Sequence, residues 1–384
     1  MTRYAPLLCL LAIVGLAGCR SIADQKWPIA CEQPAHPASG VRVIQIDEGT
    51  SEEDPGEFFD ATDLTVLRTW LESGQDAPIV VYVHGWHNNA TEAKPNLPAF
   101  RSFMCELEAD ICDVATAKRG YRPACPGVQG VYVGWRGDSL DPVMLPDILD
   151  VGTFGGRRNA SRRVGRGDLQ EVIELVTGFP ERDVFIAGHS LGANAIYYAL
   201  KTSRSTAPRR NYFLLNPAIT SEEFHDLERL LRLETRDHPS QRQQEPEEAN
   251  RRIEEQKHRQ VVVMQAQSDW VVRILFRMGY GRPIGFDKGR YTHEADAMPL
   301  EKCPKFGADQ LEDENLCKVT FQSGLTIRKA RDYEATCPDA FAKSVWIVTA
   351  DSSVSSGHGD IWGTVQRCTL AELISKRVNR IPGY

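Results

Sequence analysis

The sequence predicts an α/β protein in which helices cover both faces of a mostly parallel central sheet. Short, continuously apolar runs alternate along the chain with segments of helical periodicity, which is the order that a parallel sheet with crossover helices requires. The apolar runs are typical of strands that are buried on both faces. A length of 384 residues, with 42% hydrophobic and 25% charged residues, indicates a globular protein with a sizeable core.

In chain order, the elements begin with alternating apolar and polar residues at 41–46, which predict an early antiparallel strand. Predicted buried strands follow at 78–83, 130–134, 184–187, 211–215, 260–266 and 343–350. Predicted helices lie at 97–112, at 168–177 and directly after residue 190, where apolar residues recur at helical spacing. Right-handed crossovers would bring the carboxyl ends of the parallel strands to one edge of the sheet, where ligands of such sheets bind.

We expect one domain at residues 41–384, preceded by a signal peptide at 1–18 and a proline-rich tether at 19–40. Insertions are expected at about 139–167, 222–259 and 271–342, and the first and third could cover the carboxyl edge as a lid. The second is highly charged and predicts a solvated helical hairpin or a partly disordered excursion. The first contains an arginine cluster, for which a solvated loop is favoured over a site for anionic head groups; its members are Arg157, Arg158, Arg162, Arg163 and Arg166.

The most informative segment is Gly188-His189-Ser190-Leu191-Gly192, which joins a buried strand to a helix. In this pattern a serine is held on a sharp strand-to-helix turn, with its hydroxyl presented for attack. The glycines are needed because the turn leaves no room for side chains beside the serine and requires unusual backbone angles. The strand before the turn and the helix after it favour a nucleophile over an incidental serine in a glycine-rich turn.

A serine hydroxyl is a weak nucleophile, so it requires a base within hydrogen-bond reach and a third group that orients this base. In proteins with this turn the chain order is serine, then acid, then histidine. Asp269 follows the strand at 260–266, and His358 lies in a glycine loop after the last strand. We therefore predict Asp269 as the orienting acid and His358 as the base.

Alternatives exist for both residues. Asp269 could be only a helix N-cap, in which case Asp351 or Asp360 would be the acid. Other histidines are less well placed, because they lie in insertions or charged segments, or point away from the serine on the turn. These histidines are His189, His225, His238, His258 and His293.

Two backbone N–H groups are predicted to bind the negatively charged oxygen that develops in acyl transfer. One belongs to Leu191, directly after the serine, and the other to Trp86, in the His84-Gly85-Trp86 turn after the strand at 78–83. For the side chains of His84 and Trp86, a structural role in holding the loop is favoured over catalysis.

With these features in order, the chain resembles the α/β-hydrolase superfamily. It is most similar to bacterial lipoprotein members of the serine esterase or lipase type, with Val-His-Gly-Trp and Gly-Trp-Arg-Gly strand ends at 83–86 and 134–137. The resemblance covers roughly residues 40–375. It implies the α/β-hydrolase fold with lid-like insertions and hydrolysis of carboxylic esters by Ser190, Asp269 and His358 through an acyl-enzyme, without a cofactor. Alternatives are an acyltransferase, thioesterase or amidase on the same triad, or a non-catalytic binding lipoprotein of the envelope.

The N-terminus predicts export. Arg3 is followed by an apolar run at 7–16 that is too short to span a bilayer as a mature helix, and then by Leu16-Ala17-Gly18-Cys19. This quartet resembles the lipobox of bacterial lipoproteins, in which acyl chains are attached to the cysteine after cleavage; an ordinary secretory signal peptide is the alternative. By the same resemblance, Arg20 favours the outer membrane. We expect a membrane contact through Cys19 and a small-molecule or lipid ester as substrate.

Cysteine usage agrees with an oxidising compartment. Of the ten cysteines, Cys9 is removed with the signal peptide and Cys19 is lipidated, which leaves an even set of eight. Their grouping suggests bridges within 105–125 and within 303–368, with Cys31 able to join either group. No C-x-x-C or H-x-x-x-H spacing supports a metal site, and a net charge of -7 without a basic face argues against nucleic acid as a partner.

Overall fold

The computed structural model describes residues 39–51, 58, 60, 63–91, 94–119, 125–137, 154–203, 210–231, 259–281, 283–284, 298–299, 325–330 and 345–379. The predicted signal peptide, the lipobox-like quartet and nearly all of the predicted tether lie outside these residues. The described elements are β1 (Gly40–Ile46), α1 (Asp63–Ser73), β2 (Ile79–Val83), α2 (Asn96–Arg119), β3 (Gln129–Trp135), α3 (Phe154–Arg166), α4 (Asp168–Thr177), β4 (Val184–His189), α5 (Leu191–Thr202), β5 (Arg210–Leu215), α6 (Ser221–Leu230), β6 (Arg259–Ala266), a π-helical turn (Val271–Phe276), α7 (Arg277–Tyr280), β7 (Met298–Pro299), β8 (Leu325–Ala330), β9 (Val345–Ala350) and α8 (Thr364–Val378).

These strands form one nine-stranded sheet in the order β1-β3-β2-β4-β5-β6-β9-β8-β7. The seven strands from β1 to β9 in this order are parallel, whereas β8 and β7 add an antiparallel edge. The prediction of an α/β protein with a mostly parallel sheet is therefore confirmed. Each predicted buried strand is present, with ends that differ from the prediction by one or two residues.

The first strand does not have the predicted direction. β1 pairs with β3 in parallel over its whole length, so the expectation of an antiparallel strand is wrong. Its alternation is real, because Ile44 and Ile46 are buried while Gln45 between them is exposed. Alternation indicates that one face of an edge strand is exposed to solvent. It does not indicate whether the strand runs parallel or antiparallel to its neighbour. The direction follows from α1, which supplies the crossover that a parallel arrangement requires.

The third insertion contributes two strands to the sheet. β8 pairs antiparallel with β9, and β7 with β8, so part of the segment expected as an insertion extends the sheet beyond its last parallel strand. β8 contains Arg328 and Lys329, and it lies between β9 and the two-residue edge strand β7. Because of these charged residues, β8 lacks the continuous apolar run by which the other strands were predicted.

Helices cover both faces of the sheet, and successive residues of each buried strand pack against opposite layers. In β2, Ile79, Val81 and Val83 lie in the hydrophobic cluster with side chains of α1, α3, α4, α5 and α6. Val80 and Tyr82 lie in the other cluster, with side chains of α2 and α8. This period of two explains why the strand is continuously apolar in sequence. Packing on both sides holds the carboxyl ends of the strands in fixed positions.

The arginine cluster lies on a packed helix, so the expectation of a solvated loop is wrong. Its helix, α3, packs closely on α5 at Gly165, where a methyl group would come within 2.3 Å of the Ala195 carbonyl oxygen. Two ion pairs hold α3 in place. Arg157 donates to both oxygens of Glu48 at 2.6 and 2.7 Å. Arg158 donates to both oxygens of Glu223 at 2.7 and 2.8 Å. Arg162 lies 3.7 Å from Glu223, Arg163 donates to the carbonyl oxygens of Glu48 and Gly49, and Arg166 lies over the Tyr198 ring.

Cysteines in the described residues form disulfides. Cys112 and Cys125 are bonded to each other, within the group 105–125 that the sequence suggested. Cys105 and Cys368 are disulfide-bonded as well. Cys31, Cys303, Cys317 and Cys337 lie outside the described residues. In the described part of the chain, no helix has the length and apolar character needed to cross a bilayer.

Candidate active site

The loops that follow β2, β4, β5, β6 and β9 meet at the carboxyl edge of the sheet. Val83 at the end of β2 pairs with Gly188 of β4, and His189 at the end of β4 pairs with Leu215 of β5. Ala266 of β6 lies beside Ala350 of β9. Segments that are far apart in sequence therefore leave the sheet side by side, and each residue predicted for the catalytic site lies in one of them.

Ser190 occupies the turn between β4 and α5. Its φ of 52° and ψ of -117° place it in a region that residues with a side chain rarely adopt, at a cost of about 1–3 kcal/mol. The neighbouring loop compensates for this strain, because the Ser190 N–H donates to the Leu215 carbonyl at 3.0 Å and the Ala218 N–H donates to the Ser190 carbonyl at 3.1 Å. The serine is fully buried.

Both glycines of the turn are required by close contacts. A methyl group at Gly188 would lie 2.8 Å from the Ala193 nitrogen, and one at Gly192 would lie 2.1 Å from the Val83 carbonyl oxygen. The second contact brings the start of α5 directly against the end of β2. The expectation that the turn leaves no room for a side chain at Gly188 or Gly192 is therefore confirmed.

The structure brings Ser190, His358 and Asp269 together. His358 Nε2 lies 2.7 Å from Ser190 Oγ, and His358 Nδ1 lies 2.8 Å from Asp269 Oδ2. When the Asp269 carboxylate accepts from Nδ1–H, Nε2 of the neutral imidazole has a free lone pair and accepts from the serine hydroxyl. The burial of Ser190 and Asp269 strengthens both hydrogen bonds by excluding water.

Asp269 uses its two oxygens for different partners. Oδ1 accepts the Val272 N–H at 3.0 Å and so caps the π-helical turn, while Oδ2 faces His358. The predicted helix cap is therefore present, and the second carboxylate oxygen lies at the position that an orienting acid requires. The cap fixes the carboxylate plane, which in turn fixes the direction of the oxygen that the imidazole contacts.

The alternative acids form other contacts. Asp351 accepts the backbone and hydroxyl hydrogens of Ser353, which lowers the pKa of its carboxyl group, and Asp360 accepts those of Ser356. Both carboxylates therefore stabilise turns of the loop that contains His358. Among the alternative histidines, His225 pairs with Glu228 on α6 at 3.4 Å, and His238, His258 and His293 lie outside the described residues.

The two predicted oxyanion donors belong to the helix that follows the serine and to the loop that packs against it. The N–H of Leu191 is the first of α5 and the N–H of Trp86 lies in the loop after β2; neither has an acceptor among the described residues. Gly85 brings this loop against the serine, because a methyl group at Gly85 would lie 2.8 Å from Ser190 Cβ and 2.8 Å from the His189 carbonyl oxygen. The loop that carries Trp86 therefore packs directly against the serine, and Leu191 follows the serine in the chain.

The side chains of His84 and Trp86 hold this loop, in agreement with the structural role that the sequence favoured. His84 Nε2 accepts the Trp135 N–H at 3.0 Å, and Nδ1 donates to the Gly85 carbonyl at 2.9 Å. Because a carbonyl only accepts, the Nδ1–H tautomer of a neutral ring is assigned. Trp86 packs against His87 and edge-on to Phe154 at the start of α3.

Two further residues contact the site, and the sequence predicted no role there for either of them. His189 Nε2 lies 2.9 Å from the carbonyl oxygen of His358, and Asn216 Nδ2 donates to the same oxygen at 2.9 Å. The expectation that His189 points away from the serine overlooked its proximity to His358, whose ring centroid is 5.0 Å away. Asn216 is a polar residue directly after an apolar strand, and this placement was the signal in the sequence that its side chain lies at the carboxyl edge of the sheet.

Comparison with protein-family models and with curated proteins gives no match. Within the described ranges, no group of three or more histidine, cysteine, aspartate or glutamate side chains is arranged to hold a metal ion. A function for this chain is therefore inferred from the geometry of Ser190, His358, Asp269 and the neighbouring N–H groups.

Proposed function

We propose that this protein is a serine hydrolase of the α/β-hydrolase fold that cleaves carboxylic esters through an acyl-enzyme. The observation that carries the proposal is the 2.7 Å contact between Ser190 Oγ, on its strained turn, and His358 Nε2. A serine on such a turn, with a base in reach and an acid behind the base, has every group needed to activate a hydroxyl.

In the proposed reaction, Ser190 Oγ attacks the ester carbonyl carbon while His358 Nε2 takes the hydroxyl proton. The C–O bond to the alcohol then breaks as His358 returns this proton to the leaving oxygen, which leaves an acyl group on Ser190. Water then attacks the carbonyl carbon of the acyl group while His358 Nε2 takes one of its protons. The bond from this carbon to Ser190 Oγ breaks, the acid is released, and His358 returns the proton to Ser190 Oγ. Asp269 remains ionised and stabilises the imidazolium that forms twice in each cycle.

The negative charge of each tetrahedral intermediate is proposed to lie between the N–H groups of Leu191 and Trp86. Both are backbone donors that the fold holds in place, so they need no rearrangement when the charge develops. The close approach of Gly85 to Ser190 supports this placement. Loss of one such donor costs about 10²-fold or more in rate in comparable sites.

A fluorescent phosphonate ester tests the proposed nucleophile. We expect it to label the wild-type protein, with its phosphorus bonded to Ser190 Oγ, and to leave Ser190→Ala unlabelled. Ser73→Ala, which removes an exposed hydroxyl at the end of α1, is the matched control and should be labelled as the wild type is. Equal labelling of Ser190→Ala and the wild type would exclude Ser190 as the nucleophile.

We further propose that the enzyme is anchored to the bacterial envelope through acyl chains on Cys19, on the basis of the lipobox-like quartet at 16–19. More than one acyl chain gives stable attachment, whereas a single chain gives only marginal binding. Its ester substrate would then meet the enzyme at a membrane surface.

Membrane fractionation of a bacterial host tests the anchor. Cys19→Ser should move the protein from the membrane to the soluble fraction and abolish incorporation of a labelled fatty acid. Cys9→Ser changes a cysteine within the same N-terminal segment and should leave both readouts unchanged. Incorporation of the fatty acid into Cys19→Ser would contradict the proposal.

A further inference from the structure

The loop that contains His358 lies between β9 and α8, and glycines occupy the positions on both sides of the histidine. Glycine increases the number of backbone conformations available to a loop, so holding the imidazole in one orientation carries a large entropic cost. Groups outside the loop must therefore fix His358 if it is to stay within reach of Ser190 and Asp269.

The backbone carbonyl of His358 accepts two hydrogen bonds from outside the loop. His189 Nε2 and Asn216 Nδ2 each lie 2.9 Å from this oxygen. The two donors follow from neighbouring strands, since His189 ends β4 and Asn216 comes directly after β5. Together they attach the loop to the most rigid part of the sheet, next to the serine.

His189 provides a donor without a charge. Burial, together with the positive charge that His358 can carry, lowers the pKa of the His189 ring to about 3, so the ring is neutral near pH 7. Because the His358 carbonyl only accepts, the proton of the neutral ring is on Nε2. A neutral ring at this distance does not oppose formation of the imidazolium on His358, as a permanently charged side chain would.

Asn216 is held so that its NH₂ group faces His358. Its Oδ1 accepts the Ala266 N–H at 2.8 Å, and its own N–H donates to the Met264 carbonyl at 2.8 Å. Since Oδ1 has a donor partner, the orientation of the amide is determined by the hydrogen-bond network. The residue also has a positive φ of 42°, which asparagine tolerates better than most residues.

We propose that His189 and Asn216 are positioning residues that hold the His358 carbonyl and thereby keep its imidazole aligned between Ser190 and Asp269. The proposal rests on the proposed function for its effect on rate. Its structural content, that the two N–H donors order the histidine, can be measured without a substrate. A displacement of about 1 Å in a catalytic group can cost 10²-fold in rate.

The test compares variants that differ in one donor. His189→Leu removes the Nε2–H donor, whereas His189→Gln places an amide N–H near the same position. Asn216→Asp keeps the oxygen that accepts from Ala266 and removes the donor toward His358. His225→Gln, on the surface of α6, is the matched control.

With a soluble ester, we expect His189→Leu and Asn216→Asp to lower kcat about 10- to 100-fold at unchanged KM. His189→Gln should recover most of the loss, and His225→Gln should behave as the wild type. Unchanged kcat in a folded His189→Leu protein overturns the proposal, as does failure of a folded His189→Gln to recover activity. If His189→Leu does not fold, Asn216→Asp decides by the same criterion.

A proton NMR measurement separates this proposal from the proposed function. The hydrogen between His358 Nδ1 and Asp269 should give a far-downfield resonance in the wild type, identified by its loss in Asp269→Asn. We expect this resonance to broaden or disappear in His189→Leu and Asn216→Asp and to persist in His189→Gln. If the wild type hydrolyses no ester and yet shows this pattern, the proposed function fails while the positioning role stands; a resonance unaffected by the variants overturns the positioning role.

Discussion

Replacing Ser190 by alanine is expected to lower kcat for ester hydrolysis by about 10⁶-fold, and His358→Ala is expected to cost about the same. The two residues act as one unit, because the hydroxyl attacks only when Nε2 takes its proton, and without the hydroxyl there is no acyl-enzyme for which Nε2 could activate water. The double variant should therefore be no slower than either single variant. Residual activity would come from binding and from the N–H groups of Leu191 and Trp86.

This result is measured with purified soluble protein that begins after Cys19, by following release of the acid from a simple ester. Circular dichroism and the Tm show whether each variant is folded. If the losses in the two single variants multiply in the double variant, Ser190 and His358 act independently, and the proposed proton transfer between them is wrong.

Asp269→Asn is expected to lower kcat about 10⁴-fold without unfolding the protein. The carbonyl oxygen of the asparagine must take the Oδ1 position, because the Val272 N–H at 3.0 Å requires an acceptor there. Its NH₂ group then faces His358 Nδ1, which has to accept. The imidazole proton moves to Nε2, so Ser190 loses its proton acceptor. The cap of the π-helical turn is retained, so the Tm should remain close to that of the wild type.

Asp351→Asn is the control for this prediction. Asp351 was an alternative acid, and its oxygen caps a turn at Ser353, which asparagine can also do. We expect the Asp351→Asn protein to retain wild-type kcat. A large loss in Asp351→Asn, or wild-type activity in Asp269→Asn, would contradict the assignment of Asp269 as the orienting acid.

Several features were predictable because they depend on neighbours in the sequence. The glycines beside Ser190 and the strand and helix on either side of it report a local turn, and that turn is present with the expected crowding. Continuous apolar runs located the buried strands to within two residues at each end. The chain order of serine, acid and histidine selected Asp269 and His358 from several alternatives, and the structure brings these two side chains to Ser190.

Other features were not predictable because they depend on partners far away in the chain. The arginines of α3 look solvated in sequence because Glu48 and Glu223, which pair with them, lie 109 and 65 residues away. The direction of β1 and the position of β8 depend on pairing between strands, which a hydrophobic pattern does not specify. The same holds for His189 and Asn216, whose common acceptor is the backbone of His358.

The sequence by itself determined the mostly parallel α/β sheet and the turn at Ser190, since backbone sterics and burial act over a few neighbouring positions. The chain order of serine, acid and histidine identified the three residues that meet there. The tertiary structure alone decided how His358 is held at the serine, because a carbonyl 168 residues from the turn becomes an acceptor only after β4, β5 and the last loop have packed together. Hydrogen bonds are short-ranged and directional, so a donor finds its partner only in the folded chain.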